Sequence, residues 1–122
     1  MKLRGVLPPV VTPFRPDGSL DLPAFRANLE SLSGSGLAGF LVLGSNGEAA
    51  ALEEPEKLEL VATARQALGG RLLLVGTGTE STRGTVALTR RVADLGADAA
   101  LVLTPHFYRG RMTEDTLKRH FA

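Results

Sequence analysis

The sequence predicts an α/β fold in which parallel strands alternate with helices. Four short apolar runs start about thirty residues apart, at residues 6–11, 40–43, 72–75 and 99–103. They are apolar at nearly every position, which is typical of parallel strands covered on both faces. A flavodoxin-like open sheet and part of a (β/α)8 barrel both fit this order. Length alone favours the open sheet, since a complete barrel needs about 250 residues.

The first unit pairs a proline-rich strand with a well-marked helix. Residues 6–11 are mostly valine and proline, which suits a buried strand that runs into a loop. Asp21 can cap the following helix, with Pro23 in its first turn. The apolar spacing predicts an inner helix face made of Phe25, Leu29 and Leu32.

The later helices are predicted from their caps and end signals. Glu53 begins the second helix. Its predicted inner stripe consists of Leu58, Val61 and Leu68. Ser81 or Thr82 caps the third helix, which Gly96 ends, and Thr113 starts a fourth.

Composition excludes several classes of function. The net charge is +1 and the arginines are scattered with little aromatic interleaving, which argues against nucleic-acid binding. Without cysteine, and with only two histidines, no disulfide framework and no metal site is expected. No apolar run approaches membrane-spanning length, so we expect a cytoplasmic protein that does not bind membranes.

Small or hydroxylated residues follow each predicted strand. Ligands bind at the carboxyl ends of parallel strands in α/β folds, so a site is expected at this edge. The alternative is that these hydroxyls only satisfy loop amides or cap helices. The residues concerned are Thr12, Ser45, Asn46, Thr77, Thr104 and Tyr108.

Residues 44–48, Gly-Ser-Asn-Gly-Glu, are the most informative of these segments. Two glycines allow a sharp turn and leave N–H groups free to meet an anion, which predicts a substrate-carboxylate site. Glu48 is either an acid or base or, more often in such loops, a bracing carboxylate. His106 lies beside the presumed site, where a loop or interface role is favoured.

Two glycine patterns indicate nucleotide binding only weakly. Residues 34–39 satisfy the dinucleotide fingerprint but follow a helix and precede a strand, which is the reverse of the required order. Residues 76–78 follow a strand but have Ser81 where the third glycine is needed. No nucleotide cofactor is therefore expected.

Five segments that run through the chain in order carry a family resemblance. They lie at residues 8–14, 44–49, 76–78, 96–100 and 104–105. Together they resemble the dihydrodipicolinate synthase and N-acetylneuraminate lyase family. Within that family, Ser45-Asn46 in place of a double threonine, with residues 108–112, is similar to the 4-hydroxy-2-oxoglutarate aldolase branch. A 4-hydroxy-tetrahydrodipicolinate synthase is the other expected activity.

The resemblance implies a (β/α)8 barrel, usually tetrameric, that forms a Schiff base between pyruvate and a lysine. By the same resemblance, Ser45 is the hydroxyl of a proton relay, and the substrate-binding residues are Ser45, Asn46, Gly47 and Thr12. The relay tyrosine of the family aligns with Phe107, which cannot carry a proton. Either Tyr108, the next residue, replaces it through a local shift, or this relay position is empty in the chain.

The Schiff-base lysine of the family comes from the sixth strand and a second relay tyrosine from the fifth, and neither strand is expected within this chain. Lys2, Lys57 and Lys118 all fall outside strand ends and are expected to be solvated. Residues 1–122 are therefore expected to be the first four βα units, the amino-terminal half of one barrel domain, inactive alone. Pyruvate or another 2-oxo acid is the expected ligand, with neither metal nor cofactor, in a homo-oligomer.

One alternative remains from a different class of function. The chain is then a non-catalytic half barrel, or a flavodoxin-like module, that binds a small carboxylate or assembles with another chain. Half a barrel leaves sheet edges and apolar surface uncovered, which favours association.

Overall fold

A computed structural model describes residues 3–122 of the chain. Its helices and strands follow each other in the alternating order that the sequence predicts. Lys2, one of the three lysines considered above, lies outside the described residues. The elements are α1 (Leu22–Ser33), β1 (Gly39–Val42), α2 (Glu54–Leu68), β2 (Leu72–Gly76), α3 (Thr82–Asp94), β3 (Ala99–Leu101) and α4 (Glu114–Phe121).

The three strands form a parallel sheet in the order β1-β2-β3. Phe40 is paired with Leu73, and Val75 with Ala100. Each strand thus lies beside the next one in the sequence, as in a barrel wall. A flavodoxin-like sheet instead places its first strand between the second and third. The open-sheet alternative is therefore wrong.

The predicted first strand is only partly formed. Residues 8–10 run parallel to β1, with the N–H of Val10 donating to the carbonyl of Leu41 (3.0 Å) and the N–H of Leu41 donating to that of Pro8 (2.9 Å). One bridge, between Pro9 and Leu41, results. Proline has no N–H, so two consecutive prolines interrupt the ladder. The segment occupies the place of a strand without being a regular one.

All the tight packing lies on one face of the sheet. Phe40, Val42, Leu73 and Val75 alternate along β1 and β2 and are buried under the helices. On the other face Leu41 is half-buried, whereas Leu101 is 40% exposed. The expectation that both faces are covered is wrong for residues 3–122. In a barrel this inner face is packed by side chains from the other strands.

The predicted amino-terminal ends of the helices are confirmed by their capping residues. The side chain of Asp21 accepts the N–H of Ala24, and that of Ser81, rather than Thr82, accepts the N–H of Gly84. Thr113 caps α4 in the same way. Glu53 caps α2 with a reciprocal capping box, in which Glu56 takes part.

The predictions of which residues form the buried faces of α1 and α2 are partly wrong. Leu32 is 40% exposed because it borders an open cavity beside Val11 that no residue of 3–122 fills. In α2, Val61 and Leu68 are buried as predicted, but Leu58 is only half-buried. Leu60 and Ala64 complete the buried stripe instead.

Two negative observations apply to residues 3–122. No helix there combines the length and apolarity needed to cross a bilayer. That same part of the chain brings no three histidine or acidic side chains together as metal ligands.

Candidate functional site

The loop that follows β1 has an unusual backbone. The chain turns through a short 3-10 helix, Ser45–Gly47, between Leu43 at φ +60° and Glu48 at φ +53°. Left-handed conformations are uncommon for residues other than glycine and cost roughly 1–2 kcal/mol each. Such strain is retained where the surrounding structure enforces it, often at functional sites.

Neighbouring segments hold this loop in place. The hydroxyl of Thr12 donates to the carbonyl of Gly47 at 2.7 Å, and Thr12 is only 6% exposed. A side chain at position 47 would approach the carbonyl of Val10 to 3.1 Å. One at Gly76 would collide with the carbonyl of Leu43. The loop is therefore seated against the ends of the first segment and of β2.

Free hydrogen-bond donors remain on the loop. Gly47 and Glu48 donate their N–H groups to the carbonyls of Gly44 and Ser45, at 3.0 and 3.1 Å. Among residues 3–122, the N–H groups of Ser45 and Asn46 have no acceptor. The side chains of both residues are exposed. Two amides, a hydroxyl and a carboxamide are thus available to an anion, as predicted from the glycine spacing.

Ser45 and Asn46 line a cavity of about 520 Å³ at the carboxyl ends of the strands. Its floor is apolar and includes Leu41, Leu43 and Leu101. A cavity of this kind, apolar with a few convergent polar groups, is the usual form of a small-molecule site. Its polar and charged lining residues are Ser45, Asn46, Lys57, Thr79, Glu80, Thr104 and His106.

Sequence reasoning missed Glu80, whose carboxylate makes three polar contacts at this cavity. Its Oε2 accepts the N–H groups of His106 and Phe107, both at 2.9 Å. Its Oε1 lies 2.9 Å from Nδ1 of His106. The hydrogen bond from the Phe107 amide, followed by those of His106, lowers the pKa of the Glu80 carboxyl below its usual 4.5.

Two other charged residues depart from their expectations. Lys57 is half-buried and lines the cavity, so it is less exposed than a surface lysine. It makes no ion pair with the residues the structure describes. The side chain of Glu48, expected to brace its loop, makes no hydrogen bond within residues 3–122. Only its backbone does, by donating to the carbonyl of Ser45 and accepting from the N–H of Ala51.

The hydroxylated residues divide into two groups. Thr104 lines the cavity beside Ser45. Thr12 and Thr77 are buried instead, and each makes a structural hydrogen bond, the latter accepting from the hydroxyl of Thr89 at 2.8 Å. Within residues 3–122 the hydroxyls of these two threonines therefore have structural partners, and neither satisfies a loop amide or caps a helix.

Tyr108 lies away from the cavity wall. It is 68% exposed and stacks edge-on against Phe107, which is 73% exposed, with ring centroids 5.0 Å apart. The structure brings Ser45 and Asn46 together with His106 at the cavity but leaves this aromatic pair facing outward. Tyr108 therefore does not line the cavity formed by residues 3–122, and its relay role stays a prediction.

Curated relatives resemble this chain along nearly its whole length. It is 47% identical over 122 residues to the 4-hydroxy-tetrahydrodipicolinate synthase of Xanthomonas axonopodis pv. citri, covering 99% of this chain and 40% of that protein. It is 41% identical over 118 residues to the synthase of the same name from Methanothrix thermoacetophila, covering 97% of this chain and 39% of that protein. The chain thus spans about 40% of the length of these relatives.

Solved structures agree with this comparison. The dihydrodipicolinate synthase of Aquifex aeolicus superposes with a TM-score of 0.89 at 31% identity, covering 98% of this chain and 40% of that one. YagE, a prophage protein of the dihydrodipicolinic acid synthase family from E. coli K12, solved in complex with pyruvate, gives 0.89 at 33% identity, covering 96% and 39%. Both likenesses confirm that the parallel sheet is part of a TIM barrel.

The model of the Dihydrodipicolinate synthetase family matches residues 2–122. The match includes every segment on which the resemblance rests, and the fold agrees with it. The chain belongs to the dihydrodipicolinate synthetase family.

Proposed function

We propose that residues 1–122 form the amino-terminal half of a single (β/α)8 barrel, in a lyase or synthase that joins pyruvate to a lysine as a Schiff base. The observation that carries this proposal is the loop after β1. It presents the free N–H groups and side chains of Ser45 and Asn46 to a cavity at the strand ends. YagE, whose structure resembles this chain, was solved in complex with pyruvate.

In this proposal the loop supplies the carboxylate subsite. The carboxylate of pyruvate accepts hydrogen bonds from the N–H groups and side chains of Ser45 and Asn46, with charge-assisted strength. Gly47 keeps the turn tight because a side chain there would press on the carbonyl of Val10. Thr12 contributes indirectly, by holding the carbonyl of Gly47.

The hydroxyl of Ser45 is the proposed proton carrier of this half. When an amine adds to the ketone of pyruvate, a proton must reach the departing oxygen before water leaves and the imine forms. A hydroxyl beside the ketone both donates and accepts, so it can pass that proton on without a net change. The amine comes from a lysine outside residues 1–122, and no metal or cofactor is required.

We further propose the 4-hydroxy-tetrahydrodipicolinate synthase activity in preference to the 4-hydroxy-2-oxoglutarate aldolase activity. The relatives reported above carry the synthase name, at 47% and 41% identity. The aldolase assignment rests on Ser45-Asn46 and on residues 108–112 alone. These are short segments, whereas the similarity to the two synthases extends over 99% and 97% of the chain.

A homo-oligomer is part of the proposal. Phe107 and Tyr108 form an outward-facing aromatic pair at the strand-end edge. Exposed aromatic residues of this kind are enriched in subunit interfaces. Placed against a second copy, the hydroxyl of Tyr108 becomes available to a neighbouring site rather than to its own cavity.

Pyruvate binding to the chain tests the carboxylate subsite. We expect pyruvate to shift the amide resonances of Ser45 and Asn46 in an NMR titration. Asn46→Asp places a negative charge where the carboxylate is bound and should abolish these shifts. Ser45→Ala should weaken binding by about tenfold, as for one hydrogen bond to a charged group.

Ser35→Ala, in the exposed loop after α1, is the matched control and should bind pyruvate as the unmodified chain does. Lactate retains the carboxylate but replaces the ketone, so it should bind the same loop without forming an imine. Unchanged binding in Asn46→Asp would overturn the assignment of the subsite.

Reductive trapping tests where the amine lies. Pyruvate with a borohydride reductant should leave no covalent adduct on these residues, because neither Lys57 nor Lys118 belongs to a strand. Lys57 is the informative residue in this test, because it lines the same cavity as Ser45 and Asn46. An adduct on Lys57 would show that this chain carries its own nucleophile. It would overturn the proposal that the amine comes from a lysine outside residues 1–122.

Self-association is a second candidate function, which the uncovered inner face favours. Leu101 and Leu103 are 40% and 60% exposed and border the cavity. In this reading the face packs against another copy and binds a small carboxylate without catalysis.

A further inference from the structure

The carboxylate of Glu80 joins two strand-end segments that are distant in the sequence. Its Oε2 accepts two consecutive backbone N–H groups, those of His106 and Phe107, which lie 26 and 27 residues later in the chain. Its Oε1 lies 2.9 Å from Nδ1 of His106. One carboxylate thus holds both the backbone and a ring of the segment that follows β3.

These contacts also fix the form of the imidazole. An ionised carboxylate only accepts hydrogen bonds, so Nδ1 of His106 must be the donor. In the neutral ring, Nε2 then carries no proton and is an acceptor. His106 borders the cavity, whereas Phe107 and Tyr108 do not.

We propose that Glu80 is a positioning residue that sets which side chain of residues 104–108 meets the ligand. By anchoring two successive amides, it turns His106 toward the cavity with a defined tautomer and keeps the aromatic pair outside. The lowered pKa of the carboxyl agrees with this arrangement, since hydrogen bonds to the charged form favour it. The role at the ligand rests on the function proposed above, but the anchoring does not.

The anchoring is tested without ligand, on the chain as it is. Glu80→Ala should raise the hydrogen-exchange rates of the His106 and Phe107 amides at least about tenfold, because each loses a charged acceptor. Side-chain ¹⁵N shifts of His106 should show an unprotonated Nε2 in the neutral ring. Glu80→Gln can retain the oxygen acceptor while turning its NH₂ group toward Nδ1, so it should move the proton of His106 to Nε2.

The matched control is Glu30→Ala, which removes an exposed carboxylate that pairs with Arg26 on α1. It should change neither the exchange rates nor the tautomer. Unchanged exchange in Glu80→Ala would overturn the proposal. If that variant does not fold, Glu80→Gln decides, because an unaltered tautomer there would show that Glu80 does not orient the ring.

Addition of pyruvate separates this inference from the function on which it partly rests. In the unmodified chain, pyruvate should shift the ring signals of His106, and Glu80→Ala should reduce this shift. A chain that binds no pyruvate but shows the expected exchange and tautomer would contradict the proposed function and leave the anchoring by Glu80 established. Shifts at Tyr108 instead of His106 would overturn the positioning role.

Discussion

Thr12 makes its contribution to the site from a buried position. The sequence places it among the ligand-binding candidates because it follows a strand. In the structure its hydroxyl donates to the carbonyl of Gly47 at 2.7 Å and is out of contact with the cavity. At the scale of single residues, the donors of Ser45 and Asn46 thus depend on a neighbour that does not touch the ligand.

Thr12→Val tests this dependence. The variant keeps the shape of the side chain but leaves the carbonyl of Gly47 without its donor, which should cost about 1–3 kcal/mol of unfolding free energy. Urea denaturation measures this loss. Thr104→Val, at an exposed cavity residue without a hydrogen bond within residues 3–122, should stay within about 0.5 kcal/mol. Equal losses in the two variants would contradict the structural role of Thr12.

Glu80 gives a prediction about pH. Its folded pKa is lowered from 4.5, with the amide of Phe107 as the largest cause. The hydrogen bonds to the ionised Glu80 carboxylate are fully present above pH 4.5, the ordinary pKa of the group. They are lost as the pH falls through the lowered pKa of the folded state. The amide shifts of His106 and Phe107 should titrate with a midpoint below 4.5. A midpoint at or above that value, or the same titration in Glu80→Gln, would refute the assignment.

At the scale of elements, the close approach of β2 to the β1 loop explains the glycine at the end of β2. A side chain at Gly76 would collide with the carbonyl of Leu43, which has a left-handed backbone. Gly76→Ala should therefore lose about 3 kcal/mol of unfolding free energy, near the upper end for overpacked sites. Chemical denaturation measures this loss.

Gly34→Ala is the control for this substitution. Gly34 follows α1 with φ −76°, and nothing lies within 4 Å of a side chain added there. The control should change stability by less than about 1 kcal/mol in either direction. If Gly76→Ala changes the unfolding free energy as little as Gly34→Ala does, β2 and the loop after β1 do not constrain each other.

Features encoded in short segments were predictable from the sequence. The caps Asp21 and Thr113 act within one helical turn, and residues 44–47 form the expected turn. The contacts of Glu80 with His106 were not predictable, because they join residues 26 positions apart and leave no local pattern. The predicted first strand does not form a regular strand, and the reason is local: Pro8 and Pro9 lack the N–H groups that a strand ladder needs.

At the scale of the whole molecule, burial separates the two faces of the sheet. The helix-covered face is closed, with Phe40, Leu73 and Val75 at 0% exposure. The inner face instead exposes leucines, among them Leu101 at 40% and Leu103 at 60%. Contiguous apolar surface of this kind favours association. This difference between the two faces was not predictable from the uniformly apolar strands. The same pattern is found in a sheet covered by helices on both faces and in the wall of a barrel.

The chain should therefore self-associate reversibly through its inner face. Sedimentation velocity should show larger species as concentration rises, and Leu103→Ser should weaken association by about tenfold, as expected for losing part of one buried leucine contact. Its own fold should be little affected, because Leu103 is already 60% exposed. Val86→Ser removes a comparable apolar side chain, 43% exposed on α3, and should leave association unchanged because that helix covers the opposite face. A monomer at every concentration, or equal effects of the two variants, would show that the inner face is not the contact surface.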